Sequence, residues 1–253
     1  QVDPRSLSEI AYEQRNLSSS KQLGAFVMSL MLPMMIIIMA VMGAFYPAVD
    51  LTAGERERKT EETTLLAPVP RLAVQFGKLL AVSAASGVAT AMNLLGMGIA
   101  AGYLLSMLGG GQIGFELAWR DVALVAPFAI PLILFVSAVL TAAASLAETF
   151  KQGQSLLSGV QMLFIFPAMA TSLPGLELTP EIALVPIVGV AIALRTILRG
   201  GPLTELPWDG LAIVALSLLI YAAIAVVISV RLLDQELHTG GEPSTAARLQ
   251  AAF

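Results

Sequence analysis

The chain has 253 residues, of which 57% are hydrophobic and 13% are charged, and its formal net charge is −4. Because a soluble domain carries about 25% charged residues and a nucleic-acid-binding protein is usually basic, this composition argues against both classes. Cysteine is absent and the one histidine is His238, which excludes a disulfide framework and gives no basis for predicting a metal site or histidine catalysis. The apolar residues fall in runs of membrane-spanning length, so we predict an all-α, polytopic transmembrane helix bundle.

The first predicted span covers residues 23–46, with Pro33 as a candidate kink. The preceding residues, 1–22, form a polar lead with helical spacing and lack the basic start and apolar core of a signal peptide. We interpret them as the end of a truncated extracytoplasmic region. The transmembrane domain is predicted over residues 23–230, and a polar tail over 231–253.

A densely charged segment, DLTAGERERKTEETTLLAPVPR, follows the first span, and seven of its nine residues from 55 to 63 are ionisable. Each Arg, Lys or Asp costs about 2.5–3.5 kcal/mol near the centre of a bilayer, so this segment must lie at the membrane surface. Thr52 and Glu55 have the spacing of a capping box, which predicts a short helix starting there. Glu55–Lys59 and Arg58–Glu62 are expected ion pairs on that helix.

The second apolar run, residues 72–108, is too long for a simple crossing. We expect Lys78 to mark the membrane surface, with the crossing beginning near residue 79. Small residues at Ala84, Gly87 and Ala91 and in the Gly98–Gly102 element predict a face that a neighbouring helix can approach closely. Asn93 is a strongly polar amide within this span; it is a candidate pathway residue, although an interhelical hydrogen bond is the favoured interpretation.

Three more spans are predicted at residues 122–147, 156–172 and 211–230, the first of them bent by two prolines. A polar hinge at residues 148–154 separates the first two. The proline-rich stretch before the last span contains an apolar piece at residues 182–198, which at about 17 residues is marginal for a crossing and predicts a re-entrant or interfacial helical hairpin. The bundle therefore has about five crossings plus this hairpin.

The positive charges predict the orientation of the bundle. Basic residues are in excess in the loops 47–71 and 148–155 and in the tail, which places these parts in the cytoplasm.

The segment YPAVDLTAGERERKTEETTLLAPVPRLAVQFGK resembles the coupling-helix region of the type-2 ABC exporter permeases, specifically their sodium-efflux (NatB-like) branch. The residues that match the family pattern as they stand are Tyr46, Pro47, Asp50, Gly54, Glu55, Glu57, Arg58, Thr60, Glu62, Thr63, Leu65, Pro68, Arg71, Gly77 and Lys78. Residues 147–201 resemble the family's fifth span and the outer hairpin after it. By this resemblance, residues 1–22 end an extracytoplasmic domain and the five crossings are the family's second to sixth.

The resemblance implies an N-terminally truncated permease subunit in a prokaryotic plasma (inner) membrane, with a coupling helix at about 50–67 that contacts a separate cytoplasmic ABC ATPase. The implied partners also include a second permease copy, and ATP and Mg would be bound by the ATPase and not by this chain. The implied ATPase-coupling residues are Glu55, Glu57, Arg58, Thr60, Glu62, Pro68 and Arg71. Glu148 and Lys151 are candidates for a second cytoplasmic contact, although a helix end at the membrane surface is the favoured interpretation of that pair.

This chain departs from the family pattern at several positions. Lys59 replaces a Gly, Glu61 and Thr64 replace Leu, and Pro70 replaces Ser. Gly189 stands where a polar Asn is expected. Because residues 61 and 64 share a helix face, their polarity implies a weaker or a compensated contact with an apolar partner groove.

We therefore expect the permease subunit of an ATP-driven exporter of sodium or another small toxic compound; the alternatives are a secondary carrier that works without ATP, or a scaffold. A solvated loop also remains an interpretation of the charged segment. The chain is not expected to be an enzyme by itself, since Gly77-Lys78 is followed by Leu79 and completes no phosphate loop. No span has a central Asp or Glu, so sodium is implied by the resemblance and not by a visible ion site.

Overall fold

The structure is a computed structural model that describes residues 20–60, 63, 68–109, 119–173, 175–199 and 206–238. Within these residues all regular elements are helical. Helix α1 (Ser20–Val49) continues through a π-helical turn (Asp50–Gly54) into the short α2 (Glu55–Glu57). The remaining elements are α3 (Arg71–Gly109), α4 (Trp119–Ser145), α5 (Phe150–Ala168) with a 3₁₀ turn (Met169–Ser172), α6 (Pro180–Ala183), α7 (Pro186–Leu198) and α8 (Trp208–His238).

Among the described residues, five helices are long and apolar enough to cross a membrane. They are Ser29–Glu57, Leu72–Ala100, Ala123–Ser145, Phe150–Ser172 and Trp208–Arg231. The predicted all-α bundle with five crossings is therefore confirmed. The interpretation of residues 1–22 falls almost entirely outside the described part of the chain, as does the tail after residue 238.

Helix α1 lies at the centre of the bundle, where it packs against α3, α4, α5 and α7. Its buried side chains, among them Leu32, Ile36, Ile37 and Val41, form the largest part of the apolar core. Helix α4 packs along α8 on another side. This arrangement places the start of α2 beside the end of α4 and the start of α5.

Several helices extend past the predicted span boundaries. Helix α3 is continuous from Arg71 through Lys78 and contains 39 residues, so at 1.5 Å per residue it is about 58 Å long and exceeds the bilayer core. Lys78 lies within this helix and its ammonium group pairs with the Glu55 carboxylate. Because the helix exceeds the bilayer core, its first turns can lie at the membrane surface, and the predicted boundary at Lys78 stays a prediction. The polar hinge is shorter than expected, since α5 begins at Phe150 with Thr149 as its N-cap. Helix α8 extends to His238, beyond the predicted start of the tail.

The predicted hairpin is formed by α6 and α7. Helix α7 is buried for most of its length among α1, α4, α5 and α8, which favours the re-entrant alternative over a helix lying flat on the membrane. Gly189 permits the tight turn between the two helices. A Cβ at Gly189 would lie 2.9 Å from the carbonyl oxygen of Ile182, so an Asn does not fit there without movement of the backbone.

The small-residue face predicted on α3 does not contact another helix of this chain in the described structure. A Cβ at Gly87 or Gly98 would meet no other atom within 4 Å. The close approach of α1 and α3 occurs instead at Gly43, where an added Cβ would lie 2.6 Å from the Cβ of Ala89. The hydroxyl of Ser86 donates a hydrogen bond of 2.7 Å to the Ala40 carbonyl at the same level.

Candidate functional site

The charged segment is a direct extension of the first spanning helix. Val49 has helical φ and ψ of −67° and −44°, and the π-helical turn joins it to Glu55 without a break. The Thr52 hydroxyl donates to the Ala48 carbonyl at 2.6 Å and caps no helix, so the predicted capping box is wrong. A short π-helical stretch within an α-helix is frequently found at functional sites. Here it makes residues 50–57 a rigid continuation of α1.

Arg56 connects this extension to the end of α4. Its guanidinium Nη1 donates to the carbonyl oxygens of Ser145 at 3.0 Å and Ala147 at 3.1 Å. The last carbonyls of a helix have no partner inside the helix, and the helix dipole favours a positive charge beside them. Arg56 therefore both satisfies and electrostatically stabilises the end of α4.

Glu57 makes the complementary contact with the start of α5. Its carboxylate Oε2 accepts a hydrogen bond of 2.6 Å from the backbone amide of Phe150. The first amides of a helix are free donors and favour a negative charge. Thr149 supplies a second cap, because its Oγ1 accepts from the Gln152 amide at 3.3 Å. Arg56 and Glu57 thus bind opposite ends of the short turn that joins α4 to α5.

Glu55 connects the same extension to α3. Its Oε2 lies 2.6 Å from the Lys78 Nζ, and the side chains are 22% and 13% exposed. This pair replaces the predicted Glu55–Lys59 contact, because Lys59 lies beyond the end of α2. Three consecutive residues, Glu55, Arg56 and Glu57, consequently hold α3, α4 and α5 to the end of α1. We call this set of contacts the three-helix clamp.

The residues that follow the three-helix clamp point outward. Arg58, Lys59 and Thr60 are exposed, and Arg58 pairs with Asp50 at 2.9 Å. Both of these side chains are largely in solvent, where an ion pair contributes little to stability. The predicted partner of Arg58, Glu62, lies outside the described residues, as do residues 61 and 64, at which the chain departs from the family pattern.

Most of the other predicted site residues lie near the three-helix clamp, and Asn93 lies away from it. Glu148 and Lys151 are exposed and flank the Phe150 amide that Glu57 binds, so the structure brings the two predicted cytoplasmic contacts together. Pro68 is exposed, and Arg71 begins α3. Asn93 lies well along α3, away from the three-helix clamp. Its Oδ1 is buried without a hydrogen-bond partner in the described part of the chain, so the favoured interhelical bond is not seen for this atom.

Sequence reasoning missed Arg56 as a site residue. The charge pattern Glu-Arg-Glu-Arg indicated a solvated helix and gave no sign that its first three members contact neighbouring helices. A signal was present, however. A π-helical turn shifts the helix face that follows it, and Pro47, which removes a backbone donor just before the turn, is a feature of the sequence that favours such irregularity.

In the described part of the chain, five apolar helices, a buried hairpin and a charged helical extension at one end define a multi-pass membrane protein with a structured polar surface at that end. The family model described as "ABC-2 family transporter protein" matches residues 5–236, and the chain belongs to this family. It is an ABC-2 permease subunit of an ABC transporter, as the resemblance predicted.

One curated relative is the ABC transporter permease protein NatB of Bacillus subtilis (strain 168). It is 32% identical over 168 residues, which cover 66% of this chain and 43% of the relative. The matched region is therefore less than half of the relative's length.

Proposed function

We propose that this permease subunit takes part in ATP-driven export, and that the three-helix clamp transmits the movement of a separate cytoplasmic ATPase to the membrane helices. The observation that carries the proposal is that Glu55, Arg56 and Glu57 bind three different spanning helices through short polar contacts. A force applied to the end of α1 is thereby applied to α3, α4 and α5 as well.

The proposal divides the charged residues into two groups with different tasks. The exposed residues Arg58, Lys59 and Thr60, together with Glu148 and Lys151 on the neighbouring turn, form the surface that would contact the ATPase. The three clamp residues each bind another helix of the permease and would act after contact; Glu55 and Arg56 are partly buried, and Glu57 is exposed but bonded to the Phe150 amide. Glu55 and Glu57, which the resemblance implied as contact residues, are therefore assigned to transmission.

Co-purification and ATPase assays separate the two groups. The tagged permease is co-expressed with its ABC ATPase, and retention of the ATPase and the transport-coupled ATP hydrolysis are both measured. We expect Arg58→Glu to lose retention, because it reverses charge on the contact surface. Arg56→Gln should retain the ATPase and lose the coupling of hydrolysis to transport, because the clamp is opened at α4.

Glu181→Gln, an exposed substitution on α6, is the matched control and should behave as the wild type in both measurements. If the wild-type permease retains no ATPase, the proposal is wrong and an ATP-independent carrier becomes the better interpretation. Normal coupling in Arg56→Gln would leave the permease assignment intact but remove the clamp from the mechanism.

We infer sodium as the cargo from the resemblance to the sodium-efflux branch. A polytopic permease without a central Asp or Glu in its spans can still pass a cation along hydroxyl, amide and carbonyl oxygens, which are suitable ligands for hard cations. The test is growth of a sodium-sensitive bacterial strain at raised sodium concentration. Rescue by the wild type and its loss in Arg56→Gln would support sodium export, whereas equal growth with and without the permease would contradict it.

A second permease copy is also part of the proposal, and α5 offers the surface for it. This helix exposes a continuous face whose members are Ser155, Ser158, Gly159, Met162, Leu163 and Phe166. Polar side chains facing lipid are unfavourable, and spans that carry them usually turn them toward protein or a water-filled path. The spans on α5 and α3 have the lowest mean hydropathies of the five, 1.4 and 1.5, and the exposed hydroxyl side chains Ser155 and Ser158 on α5 favour covering of its face by the second copy.

A further inference from the structure

The end of the bundle remote from the three-helix clamp contains a polar cavity. It lies between the segment after α5 and the last turn of α7, has a volume of about 290 Å³, and is lined by Arg195, Arg199 and Glu177 together with several apolar side chains. Cavities that hold small ligands usually have volumes of roughly 300–1,000 Å³, and this one lies at the lower limit of that range, which suits a compact polar group and not a larger ligand.

Arg195 is the feature that indicates a ligand. Its side chain is 4% exposed, and its Nη1 donates to the Leu173 carbonyl at 3.0 Å. Its Nε is buried without a hydrogen-bond partner among the described residues, and none of their carboxylates forms an ion pair with it. A buried guanidinium without a counter-charge is strongly unfavourable. The Leu173 carbonyl satisfies one donor of the guanidinium, and the side chain still needs further hydrogen-bond acceptors and a negative charge.

Arg199 adds a second positive charge one helical turn away, since its amide donates to the Arg195 carbonyl at 3.0 Å. Two guanidinium groups lining one cavity favour a phosphate, whose oxygens match the planar donor pattern of arginine. Glu177 brings a negative charge to the same cavity. A ligand that satisfies all three side chains carries a phosphate and, a few bonds away, an ammonium group.

The position of the cavity identifies the source of such a ligand. The clamp binds the start of α5 at Phe150, and the cavity lies just beyond the 3₁₀ turn that ends at Ser172. The segment Phe150–Ser172 has 23 residues and spans about 34 Å at 1.5 Å per residue, which is close to the thickness of a bilayer core. The cavity is thus at the level of the lipid headgroups on the opposite side of the membrane from the clamp.

We propose that this cavity binds the headgroup of an aminophospholipid, with Arg195 and Arg199 holding the phosphate and Glu177 holding the ammonium. The bound lipid would fasten α7 to the segment after α5 and so fix the hairpin at the outer surface. This inference concerns a site separate from the clamp and does not depend on the proposed coupling mechanism.

The test is lipid binding to the delipidated permease in detergent, followed by native mass spectrometry. We expect dioleoyl-phosphatidylethanolamine to bind at least tenfold more tightly than dioleoyl-phosphatidylglycerol, which has the phosphate but no ammonium. Arg199→Gln should weaken binding of the ethanolamine lipid about tenfold, and Glu177→Gln should abolish the preference between the two lipids. Arg199 is the better position than Arg195 for this test because its side chain is exposed.

Arg231→Gln is the control, since it removes an exposed arginine at the clamp end of α8 and should bind both lipids as the wild type does. Wild-type affinity in Arg199→Gln, or equal affinity of the wild type for the two lipids, would overturn the proposal. A further arm uses water-soluble glycerophosphoethanolamine. If it competes at the same concentration as the lipid, the site recognises a free phosphate compound and the assignment to a lipid is wrong.

Discussion

Lys59 has a backbone φ of +57° directly after the short helix α2. This left-handed conformation is common at the residue that ends a helix, and glycine is favoured there because it has no Cβ to clash. The positive φ explains why the family pattern has Gly at this position; nothing in the structure explains its replacement by Lys59. The replacement carries a conformational cost of about 1–2 kcal/mol.

Replacement of Lys59 by glycine should therefore stabilise the protein. The greater freedom of glycine in the unfolded chain offsets part of the gain, so we expect Lys59→Gly to raise the free energy of unfolding by about 1 kcal/mol, which corresponds to about 2–4 °C in Tm for a chain of this size. Thermal unfolding in detergent measures the change. Lys59→Ala is the control and should show no gain; a lower Tm for Lys59→Gly would contradict the argument.

Gly189 presents the opposite case, in which the departure from the family pattern is required by packing. Gly189→Ala would place a Cβ 2.9 Å from the Ile182 carbonyl oxygen and 3.0 Å from that of Ala183. Overpacking against backbone should cost about 1–3 kcal/mol, measured as a lower Tm. Gly96→Ala, at an exposed position within α3 with no neighbouring atom within 4 Å in the described structure, should instead gain about 0.5–1 kcal/mol. Equal effects at both positions would disprove this interpretation of the turn.

At the scale of the elements, the sequence predicted which segments are helical more reliably than how they join. Apolar run length identified all five spans, because the bilayer thickness fixes that length. The capping box at Thr52 failed, since a local cap signal cannot show that the preceding helix continues through a π-helical turn. Lys78 was interpreted as a membrane boundary because it is charged and lies near the start of an apolar run too long for one crossing. Its ion pair with Glu55 was not predicted, since the two residues are 23 positions apart and no local pattern connects them.

The Glu55–Lys78 pair gives an element-scale prediction, because it joins the end of α1 to α3. Lys78→Glu alone would place two carboxylates together in a partly buried position and should lower stability. The exchanged variant, Glu55→Lys with Lys78→Glu, should restore most of the loss, with a coupling energy of about 1–2 kcal/mol. The coupling energy is measured by a double-mutant cycle, in which Tm and ATPase-coupled transport are compared between the wild type, the two single variants and the exchanged variant. Strictly additive single effects would mean that the contact does not join the helices.

At the scale of the whole molecule, the predicted membrane bundle and its family were confirmed. The sequence alone does not show which exposed helix face contacts the second permease copy. The small residues on α3 predicted one helix-contact face, yet the helices of this chain leave Gly87 and Gly98 open in the described structure. The face of α5 became visible only when burial showed that Ser155 and Ser158 are exposed together with Leu163. Two candidate faces for a second permease copy therefore compete.

Cysteine cross-linking decides between them, and the natural absence of cysteine makes single substitutions specific. We expect Leu163→Cys on α5, where the side chain is 70% exposed, to form a disulfide-linked dimer on oxidation in native membranes, because polar neighbours on this face are better covered by protein than by lipid. Ile99→Cys on α3, which is 75% exposed, is the matched variant and should remain monomeric on a non-reducing gel. The reverse result would assign the second copy to the small-residue face of α3, where close helix approach rather than polarity would drive the pairing.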